Sequence, residues 1–256
     1  MDGEMKKVLL RVAYDGTAYH GWQKQQNGIT VQEVLEEKLT ELLQEEIRVM
    51  GASRTDAGVH ALCNVAVFDM QARIPAQKIS YALNQRLPED IRVVESCEVF
   101  PDFDLRKCHA HKTYEYRIVN AAFPNPVKRL YTHFTYFKCD VDQMKRAAQY
   151  LIGEHDFRAF CTVGAQVEST VRTVTDIQVT REGEEIVLSV SGNGFLYNMV
   201  RIIAGTLLEV GYGRMKPESV EEILKSCDRR NAGPTAPARG LCLVRLDIKE
   251  LSGALK

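Results

Sequence analysis

The order of strand-like and helix-like segments constrains this fold more than any other feature of the sequence. Apolar residues occupy alternate positions over residues 8–14, and this period of two predicts a strand that ends at Asp15. Thr30 and Glu33 then form a capping-box pattern ahead of apolar residues at helical spacing, so we expect a helix that begins at Val31. A chain that mixes both periods builds sheets with helices packed against them.

The same two periods recur to the end of the chain. They predict further strands at 47–50, 62–68, 91–99, 111–119, 130–138, 171–180, 185–191 and 241–248, and helices at 75–86, 141–152, 195–210 and from Pro217. This order predicts an α+β fold in two parts, an N-terminal subdomain over residues 1–105 and a C-terminal subdomain over residues 106–256.

The distribution of charge differs between these two parts. The chain has 33 basic and 34 acidic residues, and this balance by itself argues against a polyanionic partner. However, residues 1–105 carry a net charge of −6 and residues 106–256 a net charge of +5, and the segment 106–138 has seven basic residues against one acidic residue. The second part is therefore expected to present a cationic surface suited to nucleic acid.

Several other kinds of protein and site are disfavoured. Seven scattered cysteines without a C-x-x-C spacing predict free thiols and a cytoplasmic location. The longest stretch without a charged residue, 186–200, has 15 residues, fewer than the roughly 20 that a membrane-spanning helix needs, and no export signal is visible. Cys108, His109 and His111 come nearest to a metal cluster, but no second group completes four ligands, so no metal site is expected.

The loop between the strands predicted at 47–50 and 62–68 contains a carboxylate beside a cation. Asp56 follows Arg54 closely and precedes Gly58, a residue that tolerates positive φ. Such a loop between two core strands is typical of an active site. An ordinary Asx turn with a local salt bridge explains the same residues, and both interpretations stay open at this point.

Arg201 interrupts a nearly apolar stretch of the helix predicted at 195–210. A helix that is apolar almost all round is buried, and a buried guanidinium needs a carboxylate partner because an unpaired buried charge costs about 3–5 kcal/mol. Asp56 is a candidate for that partner. The alternative is a snorkelling arginine at a domain surface.

The strand predicted at 111–119 places Tyr114 and Tyr116 on one face, within the most basic part of the chain. Aromatic side chains among cations suit a stacked RNA base with phosphates nearby. Aromatic residues at strand spacing are also typical of a core, which is the favoured interpretation for Tyr116. The candidate contacts to the RNA backbone are Lys112, Arg117, Lys128 and Arg129.

Five blocks of sequence carry a closer resemblance to a known family. They are Tyr14-Asp-Gly-Thr-Ala-Tyr-His-Gly-Trp-Gln-Lys-Gln25, Arg54-Thr-Asp-Ala-Gly-Val-His-Ala61, Gly153-Glu-His-Asp-Phe-Arg-Ala-Phe160, Gly192-Asn-Gly-Phe-Leu-Tyr-Asn-Met-Val-Arg201 and Ala232-Gly-Pro-Thr-Ala-Pro237. In order and spacing, over about residues 8–248, they resemble the signature blocks of the tRNA pseudouridine synthase A family. Ser53 departs from the pattern, since a glycine often stands before Arg-Thr-Asp.

This resemblance implies an isomerase that converts uridine to pseudouridine at positions 38, 39 and 40 of the tRNA anticodon stem-loop. It also implies the pseudouridine synthase fold, in which two ferredoxin-like α+β subdomains with central antiparallel sheets flank an active-site cleft. The family resemblance further implies a homodimer that acts on tRNA without a metal or other cofactor.

The resemblance assigns roles to five residues. Asp56 resembles the catalytic nucleophile, and Arg201 its ion-pair partner. Tyr114 resembles the ring that stacks on the target base, Arg54 the residue that helps hold the nucleotide out of its helix, and Leu241 an apolar wall of the pocket. Two alternatives remain: a related synthase with different uridine targets, and an RNA-binding protein that uses the same residues without chemistry.

Overall fold

The computed structural model describes residues 5–164 and 168–253. The strands in these ranges are β1 (Lys6–Tyr14), β2 (Met50–Gly51), β3 (His60–Met70), β4 (Ile91–Val99), β5 (Ala110–Asn120), β6 (His133–Thr135), β7 (Gly153–Asp156), β8 (Val171–Glu182), β9 (Glu185–Gly192) and β10 (Leu241–Ile248). The α-helices are α1 (Val31–Leu43), α2 (Ala76–Asn84), α3 (Val141–Gln149), α4 (Met199–Gly211) and α5 (Ser219–Ser226).

The chain forms two compact units. The first contains the described residues up to Ala110 together with those from Leu243 onward, and the second contains His111–Cys242. The division predicted at residue 105 assigns the last strand to the C-terminal subdomain. In the structure β10 lies beside β3, so the end of the chain completes the sheet of the first unit.

The first unit is built on a sheet with the strand order β4-β1-β3-β10. β1 pairs antiparallel with both β3 and β4, and β2 adds a short antiparallel pairing to β3. Val8, Leu9 and Leu10 are all buried, so this part of β1 is covered on both faces. Thr30 accepts a hydrogen bond from the Glu33 N–H and caps α1 as predicted.

The second unit has the strand order β5-β9-β8-β7, with antiparallel pairing of β5 to β9, β9 to β8 and β8 to β7. β6 pairs parallel with the end of β5. Helix α3 packs against β8 and α4, and α4 is buried along most of its length because few of its residues are polar. The two units together confirm the predicted α+β class.

Five predicted elements are shorter in the structure, and two of them are the helices predicted at 75–86 and 141–152, which become α2 and α3. The strand predicted at 47–50 reduces to β2, because the Val49 N–H donates to the Glu36 carboxylate rather than to another strand. The strand predicted at 130–138 reduces to β6. The helix predicted at 195–210 begins only at Met199, because Asn198 adopts a left-handed conformation with φ of 60°.

Across the described ranges, no helix is both long enough and apolar enough to cross a lipid bilayer.

Candidate active site

Asp56 lies in the loop between β2 and β3 of the first unit, as the sequence predicts. Asp56 is partly exposed and Arg54 is exposed, whereas Ser53 and Thr55 are buried. The polar side chains that could meet a substrate therefore alternate with side chains that anchor the loop in the core.

Backbone hydrogen bonds hold this loop against the segment that follows β1. The Trp22 N–H donates to the Thr55 carbonyl at 3.1 Å, and the Gly58 N–H donates to the Tyr19 carbonyl at 3.1 Å. Within the loop, the Val59 N–H donates to the Asp56 carbonyl, also at 3.1 Å. Trp22 is buried, so the residue that anchors Thr55 is itself fixed in the core.

Two glycines make this close approach possible. Gly58 has φ of +77° and Gly21 has φ of +87°, in the left-handed region that favours glycine. A Cβ on Gly21 would lie 2.5 Å from the Thr55 carbonyl oxygen. The first two sequence blocks of the family resemblance thus pack directly against each other, and their contact sets the backbone position of the residue before Asp56.

Buried side chains of the core also form hydrogen bonds with the same loop. Asn64 of β3 bonds both backbone polar groups of Ser53, and the Tyr14 hydroxyl lies 2.7 Å from the Thr55 hydroxyl. Asn64 is not among the site residues that the sequence predicts. The sequence feature that could have identified it is a polar residue on the same face of β3 as the apolar residues Ala66 and Phe68.

Tyr114 lies on β5 in the second unit and faces the interior of that unit with Tyr116 and Ile118. Its ring packs edge-to-face on Phe195, with 5.3 Å between the ring centroids. Because Tyr114 is only 9% exposed, a base can stack on it only if the groups that cover it move. Phe195, in the loop before α4, is one of these groups and was not predicted from the sequence.

Tyr116 is a core residue, which confirms the favoured interpretation. It is fully buried, and its hydroxyl donates to the Pro237 carbonyl at 2.9 Å. Gly240 packs on its ring, since a Cβ at that position would lie 2.8 Å from a ring carbon. Leu241, the first residue of β10, follows directly and is buried.

Arg201 lies in the first turn of α4, where neutral oxygens orient its guanidinium. Its Nε donates to the Ala236 carbonyl at 2.8 Å, and its Nη1 donates to the Asn198 side-chain oxygen at 2.6 Å. A close contact between α4 and the 233–237 segment supplies the first of these partners, since a Cβ on Gly205 would meet the Pro234 carbonyl. These two bonds fix the direction of the guanidinium without neutralising its charge.

The four cations predicted to contact the RNA backbone lie in different surroundings. Lys112 falls on the same side of β5 as Tyr114 and is partly buried. Burial, and to a smaller extent repulsion by Arg172, lowers the pKa of Lys112 to about 8. Arg129 is exposed, and its guanidinium donates to the Pro126 carbonyl.

Arg117 and Lys128 instead lie among carboxylates. Arg117 pairs with Glu115 at 2.6 Å and with Glu185 at 2.7 Å, and Lys128 pairs with Glu185 at 2.6 Å. Both cations line a groove that also contains Glu182 and Glu184. The structure thus places the positive charges of Arg117 and Lys128 in locally acidic surroundings.

The residues of the nearest metal-like sequence cluster have other partners. His109 Nδ1 lies 2.6 Å from a Glu250 carboxylate oxygen, and His111 Nε2 lies 2.8 Å from the Thr175 hydroxyl. In the part of the chain that the structure describes, no group of three or more His, Cys, Asp or Glu side chains is placed to hold a metal ion.

Comparison with known proteins identifies the family. The family model described as tRNA pseudouridine synthase matches residues 11–110 and 147–247, which include Arg54, Asp56, Arg201 and Leu241 but not Tyr114. The tRNA pseudouridine synthase A of Thermoanaerobacter sp. (strain X514) is 48% identical over 242 residues, covering 94% of this chain and 99% of the relative.

Two further relatives match over the same extent. The tRNA pseudouridine synthase A of Acetivibrio thermocellus is 47% identical, covering 94% of this chain and 99% of the relative. The protein of the same name from Caldicellulosiruptor bescii is 44% identical, covering 94% of this chain and 98% of the relative. The resemblance inferred from the five sequence blocks is confirmed, and the chain belongs to the tRNA pseudouridine synthase family.

Proposed function

We propose that this chain isomerises uridine to pseudouridine in tRNA, at positions 38, 39 and 40 of the anticodon stem-loop. Family membership and the names of the close relatives support the reaction and the class of substrate. The observation that carries the proposal is the hydrogen-bonded loop in which Arg54 is exposed and Asp56 partly exposed while the buried Ser53 and Thr55 anchor it. The three positions follow from the resemblance to the A-type enzymes.

The reaction needs a single well-placed carboxylate. The bond between ribose C1′ and base N1 breaks, the base turns, a bond forms between C1′ and C5, and the proton lost from C5 is balanced by one gained at N1. Asp56 is the proposed nucleophile. Addition of its carboxylate at C1′, removal of the C2′ proton to give a glycal, and addition at C6 all balance and all use one aspartate.

Arg201 is the proposed ion-pair partner of Asp56. The carboxylate must be ionised to act as a nucleophile or base, and a nearby guanidinium favours the ionised form. The hydrogen bonds from Arg201 to Ala236 and Asn198 support this role, because they orient the guanidinium and leave its positive charge intact. Loss of Arg201 would then impair the chemical step more than RNA binding.

A target uridine inside a stem must leave the helix before Asp56 can reach C1′. Flipping a base costs a few kcal/mol, and stacking on an aromatic ring returns about 1–3 kcal/mol. We propose that Tyr114 stacks on the flipped base and that Leu241 forms an apolar wall of the pocket. Arg54 is proposed to fill the space that the base leaves in the stem. The exposure of Arg54 supports its role, because its side chain is available to enter the RNA.

The backbone contacts proposed for Lys112, Arg117, Lys128 and Arg129 differ in expected strength. Arg117 and Lys128 are paired with glutamates, so part of their attraction for phosphate is cancelled. Lys112 lies beside the proposed stacking residue and Arg129 is exposed. We therefore expect Lys112 and Arg129 to contribute more to tRNA affinity than the other two.

Three further features belong to the proposal. The family resemblance supports a homodimer. The reaction neither oxidises nor reduces the uridine, so it needs no redox cofactor. Seven free cysteines support a reducing compartment such as the cytoplasm.

The decisive experiment maps pseudouridine by mass spectrometry in unmodified tRNA after incubation with the purified chain, alongside tritium release from C5-labelled uridine. Wild-type protein should modify positions 38 to 40, and Asp56→Asn should release no tritium while still binding tRNA. Asp69→Asn, which removes an exposed carboxylate from β3, is the matched control and should stay active.

Each other outcome rejects a defined part of the proposal. Pseudouridine at other positions would identify a synthase with different targets. Binding without modification would identify an RNA-binding protein, and turnover by Asp56→Asn would remove Asp56 from its proposed role.

A further inference from the structure

A buried amide replaces a neighbouring strand at the point where the Asp56 loop leaves the sheet. The Ala52 N–H still donates to the Val65 carbonyl of β3 at 2.8 Å. At the next residue, Ser53, the Asn64 side chain replaces the backbone of β3 as the hydrogen-bond partner. Its Oδ1 accepts from the Ser53 N–H at 3.2 Å, and its Nδ2 donates to the Ser53 carbonyl at 3.0 Å. Asn64 thus satisfies both backbone groups of Ser53 as a pairing strand would.

A second buried arm reaches Thr55. The hydroxyl of Tyr14, at the end of β1, lies 2.7 Å from the Thr55 hydroxyl, and Asn64 Nδ2 also donates to the Tyr14 hydroxyl at 3.5 Å. Asn64 is completely buried, and Tyr14, Ser53 and Thr55 are each less than a tenth exposed. The residues one and three positions before Asp56 are therefore tied to two core strands through one polar network.

The backbone groups of Ser53 have hydrogen-bond partners, but its side chain has none among the described residues. Its backbone N–H and carbonyl both have partners in Asn64, whereas its own hydroxyl oxygen is buried without a hydrogen-bond partner in the described structure. A buried polar network is unfavourable unless its members are satisfied, and a satisfied network rigidifies the segment that it binds. In this network the backbone N–H and carbonyl of Ser53 both have partners, and the loop backbone determines where Asp56 lies.

We propose that Asn64 is a positioning residue for Asp56, acting through the backbone of Ser53, with Tyr14 and Thr55 as the second arm. The proposal rests on the proposed function, in which Asp56 carries the chemistry. Asn64 itself need not touch RNA, since its side chain is enclosed in the first unit.

The first test is Asn64→Leu, which keeps the branched shape of the side chain and removes both bonds to Ser53. A misplacement of about 1 Å at a reacting group lowers the rate about 100-fold. We expect kcat for pseudouridine formation in saturating tRNA to fall about 10- to 100-fold and KM to change less than about threefold, because the proposed RNA contacts outside the Asp56 loop stay in place.

The chain offers a matched control in Asn84. Its side chain makes the same two bonds to one backbone residue, accepting from the Val93 N–H and donating to the Val93 carbonyl, both at 2.9 Å. Asn84 joins α2 to β4 and has no part in the proposed site. Asn84→Leu should lower the thermal stability as Asn64→Leu does, yet keep the wild-type kcat at a temperature where both variants are fully folded.

The second test, Asn64→Asp, adds a readout that lost packing would not produce. A protonated carboxyl group can both donate and accept like the amide, whereas a carboxylate cannot donate to the Ser53 carbonyl. The kcat of this variant relative to wild type should therefore rise as pH falls from about 8 to about 6, because burial favours the protonated form. The titratable side chain of Tyr14 is hydrogen-bonded to Asn64. Tyr14 is present in both the variant and the wild type, so its own titration affects both kcat values that are compared.

Two results would overturn the positioning role. One is a kcat for Asn64→Leu within about threefold of wild type, and the other is an equal loss of kcat in Asn84→Leu. Failure of the proposed function looks different, since wild type would then form no pseudouridine or Asp56→Asn would remain active.

Discussion

Replacement of Gly21 by alanine should move the Asp56 loop although no residue of the loop itself is substituted. Gly21 has φ of +87°, and its ideal Cβ would lie 2.5 Å from the Thr55 carbonyl oxygen and 3.1 Å from the Asp56 carbonyl carbon. Both neighbours are backbone atoms, so no flexible side chain can rotate away to accept the methyl group. The strain must be relieved by movement of the backbone on one side of the contact.

The size of the effect follows from this geometry. Ordinary contact begins at 3.4 Å, so a gap of about 0.9 Å has to open between Gly21 and Thr55. A left-handed conformation at a residue with a Cβ costs about 1–2 kcal/mol, and an overpacked site adds about 1–3 kcal/mol. If the loop yields by this distance, kcat should fall up to about 100-fold.

Gly213→Ala separates these contributions. Gly213 has φ of +72°, but a Cβ there meets no atom within 4 Å, so this variant carries only the conformational cost. Calorimetric unfolding should show a larger loss of stability for Gly21→Ala than for Gly213→Ala. Tritium release from tRNA should show a loss of kcat for Gly21→Ala alone.

Equal losses of stability in the two variants, with the wild-type kcat in both, would refute this prediction. The contact between the first two sequence blocks would then be free to expand, and the loop would not depend on it for its position.

Three further predictions concern two polar side chains, Lys112 and Ser53. Burial lowers the pKa of Lys112 to about 8, so the tRNA affinity of the wild type should fall between about pH 7 and about pH 9 more steeply than that of Lys112→Arg, as measured by filter binding. Because this pKa is lower in the folded than in the unfolded chain, the Lys112 contribution to the free energy of unfolding should increase as pH rises from about 8 towards 10.5, and Lys112→Met should lose that increase. Ser53→Ala removes a buried hydroxyl that lacks a partner and should raise the free energy of unfolding by about 1 kcal/mol without changing kcat; a loss of stability in urea titration would contradict this.

Local patterns were sufficient for the elements whose residues repeat with one clear period. The predicted strands at 91–99 and 241–248 have the bounds of β4 and β10, and α1 begins at Val31 behind its Thr30 cap. Periodicity and capping depend on neighbours within one or two turns, so the sequence records them directly. The order of the five blocks was likewise enough to identify the family.

Elements that depend on distant partners were predicted less well. Ile47 and Val49 are buried as a strand would be, but the Thr40 and Glu36 side chains take their N–H groups. The charge of segment 106–138 predicts a cationic surface, yet Glu185 pairs with both Arg117 and Lys128 from a distant position in the chain. A composition count cannot reveal such pairing, because it depends on which strands become neighbours.

The candidate site shows the same division between local and long-range information. Asp56 and Arg201 are identified by short motifs, and the roles proposed for them are consequences of residue type and family resemblance. What holds Asp56 in place, namely Asn64, Tyr14 and Trp22, is visible only in the folded chain. The physical reason is that the sequence determines which groups can form hydrogen bonds, whereas only the tertiary structure decides which partners they meet once they are removed from water.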